Sequence, residues 1–279
     1  MMLPVQPIFL VDRFPPLHAE LMRLLRGLKE ADWSRPTACA LWSVKDIAAH
    51  LLDTGLRRLS FGRDGVLPAP TRSIEQYADL VSYLNELNAQ WVTAARRLSP
   101  PVLIELLDDS AARLHAFFSS LDPMADAQFG VAWAGEESSP VWFDLGREYT
   151  ERWLHQQQIR EAVNAPGLTS REWLHPALDI FLRALPHTYR NVAASPGQNV
   201  RLDIEGKAGG IWTLVREPEG WALYTGADAS PTTTLRLDQD SAWKLLSKGL
   251  SRDAVRARIR IDGDLRLGEP IFSALAIMA

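Results

Sequence analysis

The segment 147–163, REYTERWLHQQQIREAV, has the spacing of a helix but carries polar residues where a structural helix would bury leucine. Glu151 and His155 are four residues apart, so in a helix they lie on one face, one above the other. Large apolar residues surround this row, namely Trp142, Leu145, Trp153 and Leu154. The pattern therefore raises the hypothesis that Glu151 and His155 hold a ligand.

Composition limits the classes of protein to consider. The chain has 279 residues, of which 47% are hydrophobic and 23% charged, as in globular proteins, and this length allows two domains. The single cysteine, Cys39, excludes an intrachain disulfide and a cysteine-rich zinc site, so a metal would need histidine and carboxylate ligands. The net charge of -4 argues against a nucleic-acid partner.

Two absences in the sequence bear on localisation. The N-terminus lacks a basic segment followed by a long apolar run, and no apolar stretch reaches the length of a membrane span. We therefore expect a cytoplasmic protein with no membrane partner. The sequence leaves the oligomeric state open.

Helical periodicity dominates the first part of the chain. The predicted helices span residues 15–28, 43–63, 73–98 and 141–163, with a further segment at 102–121 that is either continuous or broken. Ser43 is followed three residues later by Asp46, which predicts a capping box at the start of the second helix. At least four long helices are enough for a helical bundle.

The periodicity of apolar residues changes after Asn164. Alternation of polar and apolar residues predicts strands at 199–206, 211–217, 221–226, 232–238 and 255–264, and helices at 170–192, 240–249 and 267–278. The turn residues EPEG at 217–220 predict a hairpin. We therefore expect an α+β fold, with a helical bundle at 1–167 and a smaller α+β domain at 168–279.

Two details of the second domain follow from the same rules. Asp240 is placed to cap the helix that it begins, and Gly249 is placed to end that helix. In the last predicted strand, Arg256, Arg258 and Arg260 alternate with apolar residues, which predicts a solvent-facing row.

His50 is a third candidate ligand. It shares a helix face with Asp46 and Ile47, on or beside the apolar stripe of the second helix. Glu151 and His155, with Cβ atoms ~5–6 Å apart, could reach one ion, and His50 would complete a His₂Glu set with an open coordination position, as in catalytic zinc sites. Spacing alone also allows a helical ion pair and a core histidine.

Other residues near these three have weaker signals. Asp53 lies one turn after His50 and would either orient its second ring nitrogen or be an exposed charge. Glu148, one turn before Glu151, is either a fourth acidic group of the site or a surface residue, and its neighbour Arg147 favours the surface. Cys39 is expected as a small buried residue that is not a nucleophile. The remaining histidines, His18, His115, His175 and His187, are expected to be structural or exposed.

Two segments together resemble a known family, the DinB-like mycothiol-dependent maleylpyruvate isomerases. One is WSRPTACALWSVKDIAAHLLD, with its Trp-x-x-Pro-Thr-x-Cys and Trp-Ser-Val-x-Asp-x-x-x-His patterns, and the other is YTERWLHQQQIREAV. The resemblance covers roughly residues 15–165 and implies a DinB-like four-helix bundle. It also implies that His50, Glu151 and His155 hold a divalent metal, usually zinc. The region from residue 168 is similar to sterol carrier proteins.

The resemblance implies a metal-dependent enzyme that uses a low-molecular-weight thiol, mycothiol or an equivalent, against a small electrophile. Zinc favours the thiolate over the thiol, and the thiolate is the reactive nucleophile. The activity would be maleylpyruvate-isomerase-like isomerisation or thiol S-transfer. The alternative is a non-enzymatic binding protein with a structural metal, or with an apolar ligand in its C-terminal domain.

Overall fold

The computed structural model describes residues 1–277 and divides into two compact units. The helical unit comprises residues 9–128 and 140–167, and the sheet unit comprises residues 1–8, 129–139 and the described chain from residue 168. Helices in the N-terminal part and a mixed sheet in the C-terminal part confirm the α+β fold class. The domain limits 1–167 and 168–279 stay a prediction.

Five helices build the helical unit. They are α1 (Phe14–Arg26), α2 (Val44–Arg57), α3 (Tyr77–Ala95), α4 (Pro100–Ser120) and α5 (Val141–Ala162). Helix α2 packs against α3, α4 and α5, and its residues Val44, Ile47 and Ala48 are fully buried. This central position buries the apolar face of α2 against three other helices.

The start of α2 is set by the predicted capping box. The Ser43 hydroxyl accepts a hydrogen bond from the Asp46 N–H, and the Asp46 carboxylate accepts one from the Ser43 N–H at 3.0 Å. After α2 the chain continues as a π-helical turn, Arg58–Arg63, within the helix predicted at 43–63. The capping box fixes where α2 begins and therefore fixes the position of every side chain on it.

The other predicted helices need small corrections. Helix α3 begins at Tyr77 and not at Ser73, because the Asp79 carboxylate accepts the N–H groups of Glu75 and Gln76 and caps the helix there. The segment whose continuity was open is one unbroken helix, α4.

Within the described residues, the sheet unit contains six strands. They are β1 (Leu3–Pro4), β2 (Asn199–Glu205), β3 (Gly210–Arg216), β4 (Trp221–Thr225), β5 (Thr233–Asp238) and β6 (Arg260–Gly263), in the order β1-β4-β3-β2-β5-β6. Strands β2 and β5 are parallel, and the other neighbours are antiparallel. The predicted hairpin is confirmed, since β3 and β4 pair directly across residues 217–220.

The helix predicted at 170–192 is two helices, α6 (Arg171–Leu182) and α7 (Leu185–Tyr189). Pro186 has no N–H to continue the hydrogen-bonding of α6, and it occupies the first turn of α7, where that N–H is not needed. The prediction of one continuous helix was therefore wrong.

The prediction of a strand at 255–264 is also wrong for the first half of that segment. Ser251 caps a short helix, α9 (Arg252–Arg256), which places Arg256 and Arg258 outside the strand, and strand β6 begins at Arg260. Val255 is buried, so the apolar residue that suggested alternation belongs to the helix. Ser251 was available as a helix-cap signal in the sequence, but the polar–apolar alternation favoured a strand instead.

Helix α8 (Gln239–Leu246) is capped by Asp238 and not by Asp240. The Asp238 carboxylate accepts the N–H groups of Asp240 and Ser241, both at 2.9 Å. The left-handed residue that follows the helix is Lys248, with φ of 57°, and not Gly249. The predicted cap was two residues too late, because Asp238 and Asp240 can both serve as a cap, and the predicted end was one residue too late.

The predicted closing helix at 267–278 is replaced by α10 (Leu265–Gly268) and a 3₁₀ turn, Glu269–Ser273. Pro270 lacks the N–H that a continuing α-helix would use. Residues 274–277 have no regular structure, and Met278 lies outside the described residues. None of the helices within residues 1–277 combines the length and apolar composition that crossing a bilayer requires.

The cap of α2 gives a stability prediction. The substitution Ser43→Ala should lower the free energy of unfolding by about 1 kcal/mol, because the Asp46 N–H loses its acceptor. The measurement is urea unfolding followed by circular dichroism. Ser99→Ala is the matched control, since Ser99 precedes α4 without a side-chain cap hydrogen bond. A loss at Ser99 equal to that at Ser43 would contradict the role of the cap.

Candidate metal centre

Three side chains from α2 and α5 converge on one carboxylate oxygen. Nε2 of His50 and Nε2 of His155 each lie 3.1 Å from Oε1 of Glu151. The three ligand-type atoms all lie within 4.8 Å of one another. His50 and Glu151 are 101 positions apart in the chain, so the packing of α2 against α5 creates this cluster.

The cluster is buried on its imidazole side and open on its carboxylate side. His50 is 4% exposed and His155 is 7% exposed, whereas the side chain of Glu151 is 31% exposed. The ring of Trp42 covers the imidazoles, with its centroid 4.7 Å from that of His50 and 6.1 Å from that of His155. A ligand would therefore approach past Glu151.

The surroundings shift the pKa values of the two histidines in opposite directions. Burial lowers the pKa of His50 to about 4, despite its hydrogen bond to Glu151. Burial also acts to lower the pKa of His155, but the charge of Glu151 outweighs it and raises that pKa to about 10. Burial acts to raise the pKa of Glu151, yet the two imidazoles hold it well below its usual value. The metal-free cluster is thus an ion pair beside a neutral imidazole.

The two distances to Oε1 of Glu151 fit a tetrahedral metal as well as hydrogen bonds. Bonds of ~2.0–2.1 Å to zinc at tetrahedral angles separate two ligand atoms by ~3.3 Å, close to the 3.1 Å between Oε1 of Glu151 and each Nε2. Two imidazoles and one carboxylate are a known catalytic zinc set that leaves one position open.

A hydrogen bond on the far side of His155 strengthens this fit. Nδ1 of His155 lies 2.7 Å from Oε1 of Gln158, which only accepts hydrogen bonds, so Nδ1 must carry a hydrogen. On the neutral ring, Nε2 then carries no hydrogen, and its lone pair faces the negatively charged Oε1 of Glu151. Two such acceptors tolerate this proximity only with a positive charge shared between them, either a proton or a metal cation.

The residues of the Trp-x-x-Pro-Thr-x-Cys pattern hold the loop before α2 in its conformation. The Thr37 hydroxyl donates to the carbonyl of Trp42 at 2.8 Å and accepts the N–H of Cys39 at 3.2 Å. Trp33 is buried in the helical core. The pattern thus anchors a tight loop that brings Trp42 over the imidazoles and the half-buried Cys39 beside Gln158.

Sequence reasoning missed Gln158. Oε1 of Gln158 contacts both His155 and the Sγ of Cys39, the latter at 3.3 Å. A signal was available, because Gln158 lies three residues after His155, a separation at which helical side chains meet.

Two predictions around the cluster were wrong. Asp53 is buried and pairs with Arg57 at 2.7 Å, so it neither orients His50 nor faces solvent, and Nδ1 of His50 has no hydrogen-bond partner within residues 1–277. Glu148 is buried and not at the surface, because Arg152 donates to it at 2.8 Å. In both cases an arginine one turn later on the same helix binds the carboxylate.

A second buried ion-pair network links the two helices near the cluster. Asp144 on α5 pairs with Arg147 and with Arg58, which directly follows α2. Burial acts to raise the pKa of Asp144, but the charges of Arg147 and Arg58 outweigh it and lower that pKa. The network therefore holds one end of the α2–α5 contact.

The remaining histidines lie outside the cluster. His18 contacts Asp108 at 3.1 Å, and His115 contacts Ser119 at 3.5 Å. In the sheet unit, His175 contacts the carbonyl of Ala208 at 2.9 Å.

Comparison with solved structures shows the fold. The crystal structure of a histidine-to-alanine mutant of the mycothiol-dependent maleylpyruvate isomerase matches with a TM-score of 0.54 and 12% identity, covering 90% of this chain and 91% of that chain. The unmutated mycothiol-dependent maleylpyruvate isomerase matches with a TM-score of 0.50, the same identity of 12% and the same coverage of 90% and 91%.

A third solved structure, the UbiJ-SCP2 ubiquinone synthesis protein, matches with a TM-score of 0.25 and 14% identity, covering 32% of this chain and 76% of that chain. This score is too low to support an argument. A comparison with curated proteins found no significant match.

Comparison with protein-family models matches residues 14–160 to the mycothiol maleylpyruvate isomerase N-terminal domain. The match spans more than half of the chain and includes α1 to α4, most of α5 and all three residues of the cluster. The chain therefore belongs to the family defined by the mycothiol maleylpyruvate isomerase N-terminal domain.

Proposed function

We propose that this protein is a metal- and thiol-dependent enzyme, a maleylpyruvate-isomerase-like isomerase or a thiol S-transferase, that holds its metal through His50, Glu151 and His155. The observation that carries the proposal is the meeting of both Nε2 atoms at Oε1 of Glu151. Zinc is the metal we favour, although the same ligand set also suits iron(II) and nickel.

The chain's own groups would prepare such a centre. His50 is neutral in its buried position, so no ring charge would oppose a metal there. Its Nε2 would bind the metal with the ring hydrogen on Nδ1 in place of the Nε2 hydrogen that it shares with Glu151. The negative charge of Glu151 would offset part of the charge of a divalent cation held between the two buried imidazoles. Zinc bound there would supply a positive charge that keeps a thiol cosubstrate in its thiolate form.

The exposed side of Glu151 is where the thiol and the electrophile would enter. Trp42 covers the histidines and limits the access of water from the opposite side. In the isomerase reaction the thiolate adds to an activated double bond, the new single bond rotates, and expulsion of the thiolate restores the double bond. The chain would therefore position two small molecules and release the thiol unchanged.

The family and fold support mycothiol as the thiol, because the matching family and solved structures carry that name. Bacillithiol and glutathione are the other thiols to assay as cosubstrates. The sterol-carrier-like character of the sheet unit, the DinB-like four-helix arrangement and the cytoplasmic location stay predictions.

Metal content tests the ligand assignment. The purified protein should carry close to one zinc per chain, and His50→Ala should lose it, with an affinity loss above the ~10–100-fold that follows from removing an outer partner. The measurement is elemental analysis after dialysis against zinc-free buffer. His115→Ala is the matched control, since His115 lies in the same unit and contacts Ser119. Equal zinc in wild type and His50→Ala would show that His50 is not a ligand.

Removal of the metal tests the function. A chelator should abolish thiol-dependent cis–trans isomerisation of maleylpyruvate, and added zinc should restore it. The melting temperature should change little, because the three side chains hydrogen-bond to one another without a metal and the apolar core of α2 does not involve them.

Two other outcomes would contradict this account. Turnover that survives complete metal removal would exclude a metal-dependent reaction. A sharp fall in melting temperature, in a protein without turnover for any thiol, would favour the binding protein with a structural metal.

A further inference from the structure

Gln158 connects the metal centre to the loop before α2. It lies on α5 one turn after His155 and is 9% exposed. Its Oε1 receives two contacts, from Nδ1 of His155 at 2.7 Å and from Sγ of Cys39 at 3.3 Å. One buried amide oxygen therefore joins a candidate ligand on α5 to a loop residue far away in the sequence.

The contact with His155 determines what the other side of the ring can do. An amide oxygen only accepts hydrogen bonds, so the hydrogen of the neutral ring is held at Nδ1. On that neutral ring, the form that binds a metal, Nε2 carries no hydrogen and is directed at Oε1 of Glu151, 3.1 Å away. In the metal-free ion pair the same nitrogen holds the proton that it shares with Glu151. The same bond also restricts rotation of the ring, because turning it would break a short hydrogen bond in a buried site.

His50 has no equivalent partner. Its Nδ1 is buried without a hydrogen bond in the part of the chain that the structure describes, and the ring of Trp42 packs against it instead. Of the two histidines, only His155 is therefore oriented by a hydrogen bond on its far side. We expect substitution of its partner, Gln158, to change the affinity for a metal.

Cys39 holds the amide of Gln158 from the other side. Its thiol donates to Oε1 of Gln158, and its own N–H donates to the Thr37 hydroxyl at 3.2 Å. A thiol is a weak donor, so this contact contributes less than the bond to His155. This contact gives the lone cysteine near the cluster a structural role that requires no nucleophilic chemistry.

We propose that Gln158 is a positioning residue that fixes the tautomer and orientation of His155 for metal binding, and that the Cys39 thiol holds its amide in place. The inference rests on the proposed metal centre, and it assigns the partner that orients one of its ligands. Such partners change metal affinity by about 10–100-fold when removed.

Zinc affinity, measured by competition with a chromogenic chelator, tests the proposal without using activity. Gln158→Leu should weaken zinc binding by about 10–100-fold. Gln158→Glu should bind at least as tightly as wild type, because a carboxylate also accepts from Nδ1. Cys39→Ala should cause a smaller loss than Gln158→Leu. Gln90→Leu, on the exposed side of α3, is the control and should leave affinity unchanged.

A spectroscopic readout separates orientation from general stability. In the zinc-loaded protein with ¹⁵N-labelled histidine, the Nδ1–H of His155 should give a slowly exchanging signal that weakens in Gln158→Leu and persists in Gln158→Glu. If Gln158→Leu does not fold, zinc binding by Gln158→Glu decides the question: affinity at or above that of wild type supports the positioning role, and weaker binding overturns it.

Each outcome has one meaning. Wild-type affinity in Gln158→Leu, or equally weak binding in Gln158→Glu and Gln158→Leu, would overturn the positioning role and leave the metal centre standing. Absence of zinc binding in the wild-type protein would overturn both the proposed function and this inference.

Discussion

The packing of α2 against α5 creates the candidate metal centre. It brings the Nε2 atoms of His50 and His155 to one oxygen of Glu151. One end of the contact is fixed by ion pairs of Asp144 with arginines, and α2 itself begins at a hydrogen-bonded cap at Ser43. A buried charge is tolerated only when it is paired, so these interactions also oppose sliding of one helix along the other.

The same packing gives the centre its asymmetry. Burial keeps the imidazole of His50 neutral, whereas the charge of Glu151 keeps that of His155 protonated in the metal-free protein. Aromatic cover lies on one side and a partly exposed carboxylate on the other. A divalent cation would take the place of the shared proton, and this exchange links the electrostatics of the resting cluster to the proposed thiol chemistry.

Local patterns predicted the parts of the fold and site that depend on neighbours in the sequence. The capping box at Ser43 and the hairpin at 217–220 are confirmed, because turn and cap chemistry acts over a few residues. Periodicity failed at 255–264, where a cap at Ser251 produced a helix instead of a strand. Glu148 and Asp53 were misplaced because burial and the choice between competing partners depend on tertiary packing, which spacing does not reveal.

X-ray absorption at the zinc edge identifies the atoms around the metal. We expect nitrogen and oxygen ligands, including imidazole, with no sulfur in the resting protein despite the nearby Cys39. Addition of the thiol cosubstrate should then introduce one sulfur at ~2.3 Å. Sulfur around the zinc before the thiol is added, or a spectrum without imidazole, would contradict a centre formed by His50, Glu151 and His155.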